Sequence, residues 1–181
     1  DGEPTADESL LLNLGNPDAR RWAVETVSGL IAENGIDCYR EDFNIDPSPY
    51  WRKADEEGRV GMVEMRFVEG LYAFWDELRR RHPGLLIDNC ASGGRRLELE
   101  TVGRSVALWR TDYNCFPFMN PDASQVHGSG LNLWLPLNAI SPRARSGDTY
   151  HVRSGFSAGA VLSVNEFGLR ETNRLFIEVD E

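Results

Sequence analysis

Ile36-Asp37-Cys38-Tyr39-Arg40-Glu41-Asp42-Phe43-Asn44 is the stretch on which the fold turns. Its first five residues read as a short strand, which runs into the polar cluster Glu41-Asp42-Phe43-Asn44. The segment before it is a helix with both ends written out. Asn16 can cap the start, Pro17 suits the first helical position, and Asp18 suits the positive end of the helix dipole. Trp22, Val24, Val27, Leu30 and Ile31 recur at roughly helical spacing, and Gly35 ends the run. After the strand comes a Pro-rich loop, Asp46-Pro47-Ser48-Pro49-Tyr50-Trp51. A second helix follows from about Met62 to Arg81, with Phe67, Leu71, Phe74, Trp75 and Leu78 on one face and charges on the other. His82-Pro83-Gly84 stops it.

The pattern then repeats. Leu85-Leu86-Ile87-Asp88-Asn89 reads as a strand leading into Cys90-Ala91-Ser92-Gly93-Gly94. Leu97 to about Val102 reads as a short helix, and Val106-Ala107-Leu108-Trp109-Arg110 as a third strand ending at Thr111-Asp112. Tyr113 to about Gly130 reads as loop with some helix, and Leu131-Asn132-Leu133-Trp134-Leu135 as a fourth strand. The remainder alternates less clearly. Short buried strand, polar residues, helix, short buried strand is the signature of an α/β fold with parallel strands. In such folds the chemistry gathers where strands end. Three strand ends carry polar clusters: Asp42 with Asn44, Asp88 with Cys90 and Ser92, and Asp112 with Asn114.

The bulk numbers set the limits. The chain has 181 residues, 41% of them hydrophobic and 27% charged, an ordinary balance for a globular domain or part of one. Its formal net charge of −10 argues against nucleic-acid backbones and anionic membranes as partners, because both need clustered Lys and Arg. No apolar run approaches the length of a membrane span. Cys38, Cys90 and Cys115 are odd in number and lack CxxC spacing, which argues against a disulfide framework or a structural zinc site. Free thiols favour a reducing, cytoplasmic compartment. His127 and His151 have no metal-ligand spacing.

Asp42 and Asp112 each follow a strand-like run, so in a parallel barrel both would sit on one rim. A carboxylate pair on one rim suits a retaining glycosidase, which needs a nucleophile and a proton donor about 5–5.5 Å apart. Arg40, two residues before Asp42, would point to the same side of the strand and favour an ionised nucleophile. Position alone leaves the plainer reading open, since Asp after a strand is often a cap or turn residue.

Three motifs in order narrow this reading. Leu14-Gly15-Asn16-Pro17 through Cys38-Tyr39-Arg40-Glu41-Asp42-Phe43-Asn44 resembles the α-galactosidases of glycoside hydrolase family 36, where a Lys-Trp-Asp-x-Asn motif ends the fourth barrel strand. Asn89-Cys90-Ala91-Ser92-Gly93-Gly94-Arg95-Arg96 resembles that family's Cys- and Gly-rich loop after the fifth strand. Leu108-Trp109-Arg110-Thr111-Asp112 resembles its Trp-x-Ser-Asp segment after the sixth. The resemblance spans roughly residues 10–165. Arg40 stands where the family has Lys, Glu41 where it has Trp, and Thr111 where it has Ser; Arg95 interrupts the glycine run.

The resemblance implies that Asp42 is the nucleophile and Asp112 the acid/base. It implies a substrate-binding set of Arg40, Asn44, Cys90, Ser92, Gly93 and Arg96, with no metal and no organic cofactor. It implies a partial (β/α)₈ TIM barrel, roughly strands four to eight, in which residues 1–181 are the second half of the catalytic barrel. The upstream half and N-terminal β-sandwich of the family are absent, so the expected partners are a carbohydrate substrate and either the missing barrel half or further copies of the chain. The expected function is retaining hydrolysis of α-galactosides by a longer or assembled enzyme, with the isolated piece inactive. Galactosyl transfer of the raffinose-synthase type, α-N-acetylgalactosaminidase activity and a non-catalytic sugar-binding half-barrel are the alternatives. Cys90 also fits a small buried apolar role, Gly93 and Gly94 a plain turn, and Trp109 and Trp134 core packing as well as sugar stacking. His82 reads as a dipole complement at a helix end, and Arg79-Arg80-Arg81 as a solvated helix terminus.

Overall fold

The structure is a computed structural model that describes residues 10–115, 120–135, 137–140, 149–156 and 158–160. The chain divides into two compact units, Asp1–Ile87 and Asp88–Glu181.

The first unit opens with α1, Pro17–Asn34. The Asn16 side chain accepts the Asp18 backbone N–H at 2.9 Å, and Gly35 closes the helix with φ 62°. Ile36 N–H still bonds the Ile31 carbonyl, so Ile36 and Asp37 belong to the helix exit. The strand therefore starts two residues later than the sequence predicts. It is β1, Cys38–Asp42. The predicted Pro-rich loop contains a short helix, α2, Ser48–Ala54, because Pro49 in its first turn gives up an N–H that a helix leaves unpaired there. α3 runs from Met62 to Arg81, as the apolar periodicity predicts. Its start is fixed from outside the helix: Asp55 accepts Gly61 N–H at 2.7 Å and Val63 N–H at 2.9 Å. These bonds hold the Asp55 carboxyl below the usual carboxylate range.

α1 and α2 both pack on α3. The shared core is Leu14, Ala23, Val24, Ile31, Phe67, Leu71, Phe74, Trp75, Leu78, Leu85 and Ile87. The apolar face of α1 is narrower than its sequence suggests. Ala23, Val24 and Ile31 are buried and Val27 partly so, but Trp22 and Leu30 lie on the exposed side. Gly70 lets α3 approach the preceding loop; a Cβ there would collide with the Leu14 carbonyl. Trp51 and Phe43 stack on Phe67, with ring centroids 5.3 and 5.8 Å away. Two ties join α1 to the end of α3. His82 Nε2 and Ser28 Oγ share a 2.7 Å hydrogen bond, and Arg81 bridges Glu25 and Glu77 at 2.7 and 2.8 Å. The Arg79-Arg80-Arg81 run is thus partly a clamp.

β2, Leu86–Cys90, is the neighbour of β1 in a two-stranded sheet, with Leu86 N–H bonded to the Asp37 carbonyl. In the second unit α4 is one turn, Leu99–Val102. The predicted third strand does not form as a continuous strand: Val106 bridges Asp88, and Ala107 bridges Asn138. The cause is visible at Leu108, whose N–H goes to the Asp88 side chain at 3.0 Å rather than to a strand backbone. The predicted fourth strand at Leu131–Leu135 is also replaced. α5 occupies Pro121–Leu131 and a turn follows, with Asn120 capping Asp122 N–H at 2.8 Å. β3, Ala139–Ile140, pairs in parallel with β4, Gly159–Ala160, and α6 spans Thr149–Ser154 between them. The less clear alternation expected over 141–148 and 161–181 lies outside the described residues.

Candidate active site

β1 alternates strictly. Cys38, Arg40 and Asp42 are exposed; Tyr39 and Glu41 are half-buried. The half-buried side meets α3: Tyr39 sits edge-on to Phe74 at 6.2 Å, and Glu41 accepts the indole N–H of the fully buried Trp75 at 3.1 Å. Glu41 therefore points away from the face that carries Asp42, and its role here is to satisfy a core indole. On the open face Arg40 Nη2 lies 3.4 Å from Asp42 Oδ2, as their two-residue spacing predicts. Asp42 is the last residue of the strand, not the first beyond it. Asn44 follows in the exposed exit.

In the second unit three short segments converge. β2 delivers Asp88, Asn89 and Cys90, all buried, and Cys90 is 1% exposed. The chain then turns through Ser92 at φ 45° and Gly93 at φ 79°. Ser92 is the one non-glycine among the described residues with a left-handed backbone, a conformation that costs free energy and collects at functional loops. Arg95 restrains it, donating to the Ala91 carbonyl at 3.1 Å and to Ser92 Oγ at 2.9 Å. The Arg96 carbonyl accepts both Asn89 Nδ2 and Thr101 Oγ1, at 2.8 and 3.1 Å.

Gly93 presses on the residues before the second carboxylate. A Cβ there would stand 2.7 Å from Asp112 N and 3.1 Å from Thr111. Gly94 leaves room for the Arg110 carbonyl, 2.5 Å from where its Cβ would be. Both glycines are thus needed for close backbone approach, which brings Gly93 to Asp112 and Gly94 to Arg110.

Asp112 opens a single 3-10 turn, Asp112–Cys115. The Trp109 indole N–H donates to its Oδ1 at 2.9 Å, which fixes the carboxylate's orientation. Sequence reasoning assigned Trp109 to packing or stacking and missed this bond; the signal available was an indole three residues before the carboxylate. Trp134 is half exposed. Cys38 is exposed and Cys90 buried. Among the described residues no group of three or more His, Cys, Asp and Glu is placed to hold a metal, and no helix is long and apolar enough to cross a membrane.

This architecture recurs in solved structures. The α-galactosidase AgaA of Geobacillus stearothermophilus, solved as a variant in complex with stachyose, matches 99% of this chain with a TM-score of 0.74 at 16% identity. The Lactobacillus brevis α-galactosidase matches 99% with a TM-score of 0.70 at 16% identity. The chain covers 26% and 25% of those two structures. The fold is therefore that of the family 36 α-galactosidases, in keeping with a TIM-barrel-containing architecture. The family model of the melibiases matches residues 3–116, and the chain belongs to that family of glycoside hydrolases. Among its relatives, the Escherichia coli α-galactosidase is 30% identical over 112 residues, and a probable α-galactosidase C of Aspergillus flavus 25% identical over 168. These alignments take in 62% and 88% of this chain but only 15% and 20% of the relatives' lengths.

Proposed function

We propose that this chain carries the two catalytic carboxylates of a retaining α-galactosidase and is the second half of its barrel. β1 would be the fourth strand, β2 the fifth and the Val106–Arg110 segment the sixth, with the rest of the chain completing strands seven and eight. One observation carries the reading. Within the family-matched region, Asp42 ends a strand on its open face beside Arg40, and Asp112 follows the Trp-x-Thr segment with its carboxylate held by Trp109.

Asp42 attacks the anomeric carbon, and the bond to the leaving oxygen breaks as Asp112 gives that oxygen its proton. A galactosyl ester on Asp42 results. Asp112, now ionised, takes a proton from water; the water oxygen attacks the same carbon and releases Asp42. Two inversions give net retention. Arg40, Asn44, Cys90, Ser92, Gly93 and Arg96 form the substrate-binding set. Gly93, which the loop brings to the Asp112 backbone, would form one side of it. The chemistry needs no metal or organic cofactor.

The open face of β1 supports the half-barrel reading. Arg40 and Asp42 keep 42% and 37% of their side chains exposed, although the opposite face of the same strand is core. In a closed barrel that face is interior, so we assign its cover to the barrel half outside this chain or to a second copy. Asp42→Asn or Asp112→Asn in the full-length protein should cut turnover of an aryl α-galactoside on the order of 10³-fold or more. Near-normal turnover by Asp42→Asn would sink the assignment.

A further inference from the structure

Arg110 is 3% exposed, yet among the described residues no carboxylate pairs with it. Its Nη1 donates to Asn138 Oδ1, a neutral acceptor, and its Nε is buried without a hydrogen-bond partner. Asn138 cannot turn to help further, because its Nδ2 is spent on Asn132 Oδ1 at 2.9 Å and the Leu135 carbonyl at 3.1 Å. Burial lowers the Arg110 pKa, yet a guanidinium stays charged at any physiological pH. A buried cation with one neutral partner is expensive to maintain.

Arg110 lines a cleft of about 450 Å³ on the second unit, together with Ser124, Gln125, Gly128 and Asn132 from α5 and Arg153 from α6. Among the described residues that line it none is acidic, although the whole chain carries a net charge of −10. Asp122, in the first turn of α5, is engaged by the Tyr150 hydroxyl instead of by Arg110. Gly128 keeps space open beside the guanidinium, since a Cβ there would stand 2.7 Å from Nη2. Asp112 does not line this cleft.

We propose that this cleft is a binding site for a small oxyanion, a phosphate or carboxylate group that presents two oxygens to Arg110. The planar fork of the guanidinium matches such a pair of oxygens, and Arg153 adds a second positive charge. The volume lies in the range of small-molecule sites and exceeds what a bare inorganic ion fills, so the natural ligand is a sugar-sized molecule bearing that group. The site is independent of the carboxylate pair and of the glycosidase reading.

The test is calorimetric titration of the full-length protein with inorganic phosphate and, separately, with acetate, at ionic strength held constant with chloride. One saturable site per chain for either anion is the expected result, accompanied by a rise in melting temperature. Preference between the two anions tells whether the group is phosphate or carboxylate. Arg110→Met should weaken binding at least tenfold and abolish the thermal shift. Should that variant fail to fold, Gly128→Ala, which crowds the guanidinium while leaving the helix intact, should also weaken binding about tenfold. No saturable binding of either anion, or wild-type affinity in a folded Arg110→Met or Gly128→Ala protein, overturns the proposal.

Discussion

Trp109 and Asp112 are three residues apart, and one hydrogen bond between them decides how the second carboxylate is aimed. Proton donation to a leaving oxygen depends on geometry, and a misplacement of about 1 Å can cost on the order of 10² in rate. Trp109→Phe keeps the aromatic volume and removes the N–H. In the full-length protein it should lower kcat on alkyl α-galactosides roughly tenfold or more with little change in KM. Aryl α-galactosides, whose leaving oxygens need less protonation, should suffer less. Parallel rates of loss on both substrate types, measured by steady-state kinetics, would reduce Trp109 to a packing residue. Glu41 shows the converse case. It stands where the resemblance places a Trp, beside the proposed nucleophile, yet it faces α3 and answers Trp75, so the departure falls on the core side of β1.

Among the elements, the α1–α3 pair is held by charge as well as by packing. Arg80 first, then Arg81, hold the Glu77 carboxyl down to about 2, and the Arg81 hydrogen bond likewise lowers Glu25. The folded state thus binds these protons less readily than the unfolded chain. The stability they contribute is present above the ordinary glutamate value of 4.5 and is lost as pH falls from there towards about 2. Exposure keeps the effect small. Thermal melts followed by circular dichroism should show a falling midpoint across that interval, and Glu77→Gln should flatten the fall. An unchanged slope in the variant would assign the acid sensitivity elsewhere. Much at this scale was legible in the sequence. Asn16-Pro17-Asp18, Gly35 and the run from Phe67 to Leu78 each carry a local cause for α1 and α3. The same Asn-Pro-Asp signature stands at Asn120-Pro121-Asp122 and starts α5, where the apolar run Leu131–Leu135 pointed instead to a strand. The lapse at Val106–Arg110 has a different origin: the Asp88 side chain takes a backbone N–H, a long-range event that periodicity cannot carry.

For the whole molecule, the two carboxylates stand on different units, Asp42 on the first and Asp112 on the second. The place of Asp42 at a strand end was legible, whereas Asp112 follows a segment that makes only isolated bridges; the roles proposed for both rest on the order of three motifs. The restraints on Asp112 were not legible: Gly93 reaches it by a backbone approach between distant parts of the chain, and the Trp109 indole bond, though local, depends on how the intervening turn folds. With the chain spanning 15% and 20% of two α-galactosidase relatives, the proposed barrel is half built, and a half sheet leaves unpaired edges and an open face behind. The 181-residue chain by itself should therefore leave an aryl α-galactoside unhydrolysed, and measurable turnover by it would show that no second half is needed. The most direct test of the paired-carboxylate mechanism is the anomeric configuration of the galactosyl azide formed when the full-length Asp42→Gly and Asp112→Gly proteins are given an activated α-galactoside and azide. Azide replacing a missing nucleophile enters opposite the leaving group, whereas azide replacing water attacks the galactosyl-enzyme from the other side. β-Galactosyl azide from Asp42→Gly and α-galactosyl azide from Asp112→Gly are the predicted products; the reverse pair, or no azide product from either, would contradict the roles assigned to Asp42 and Asp112.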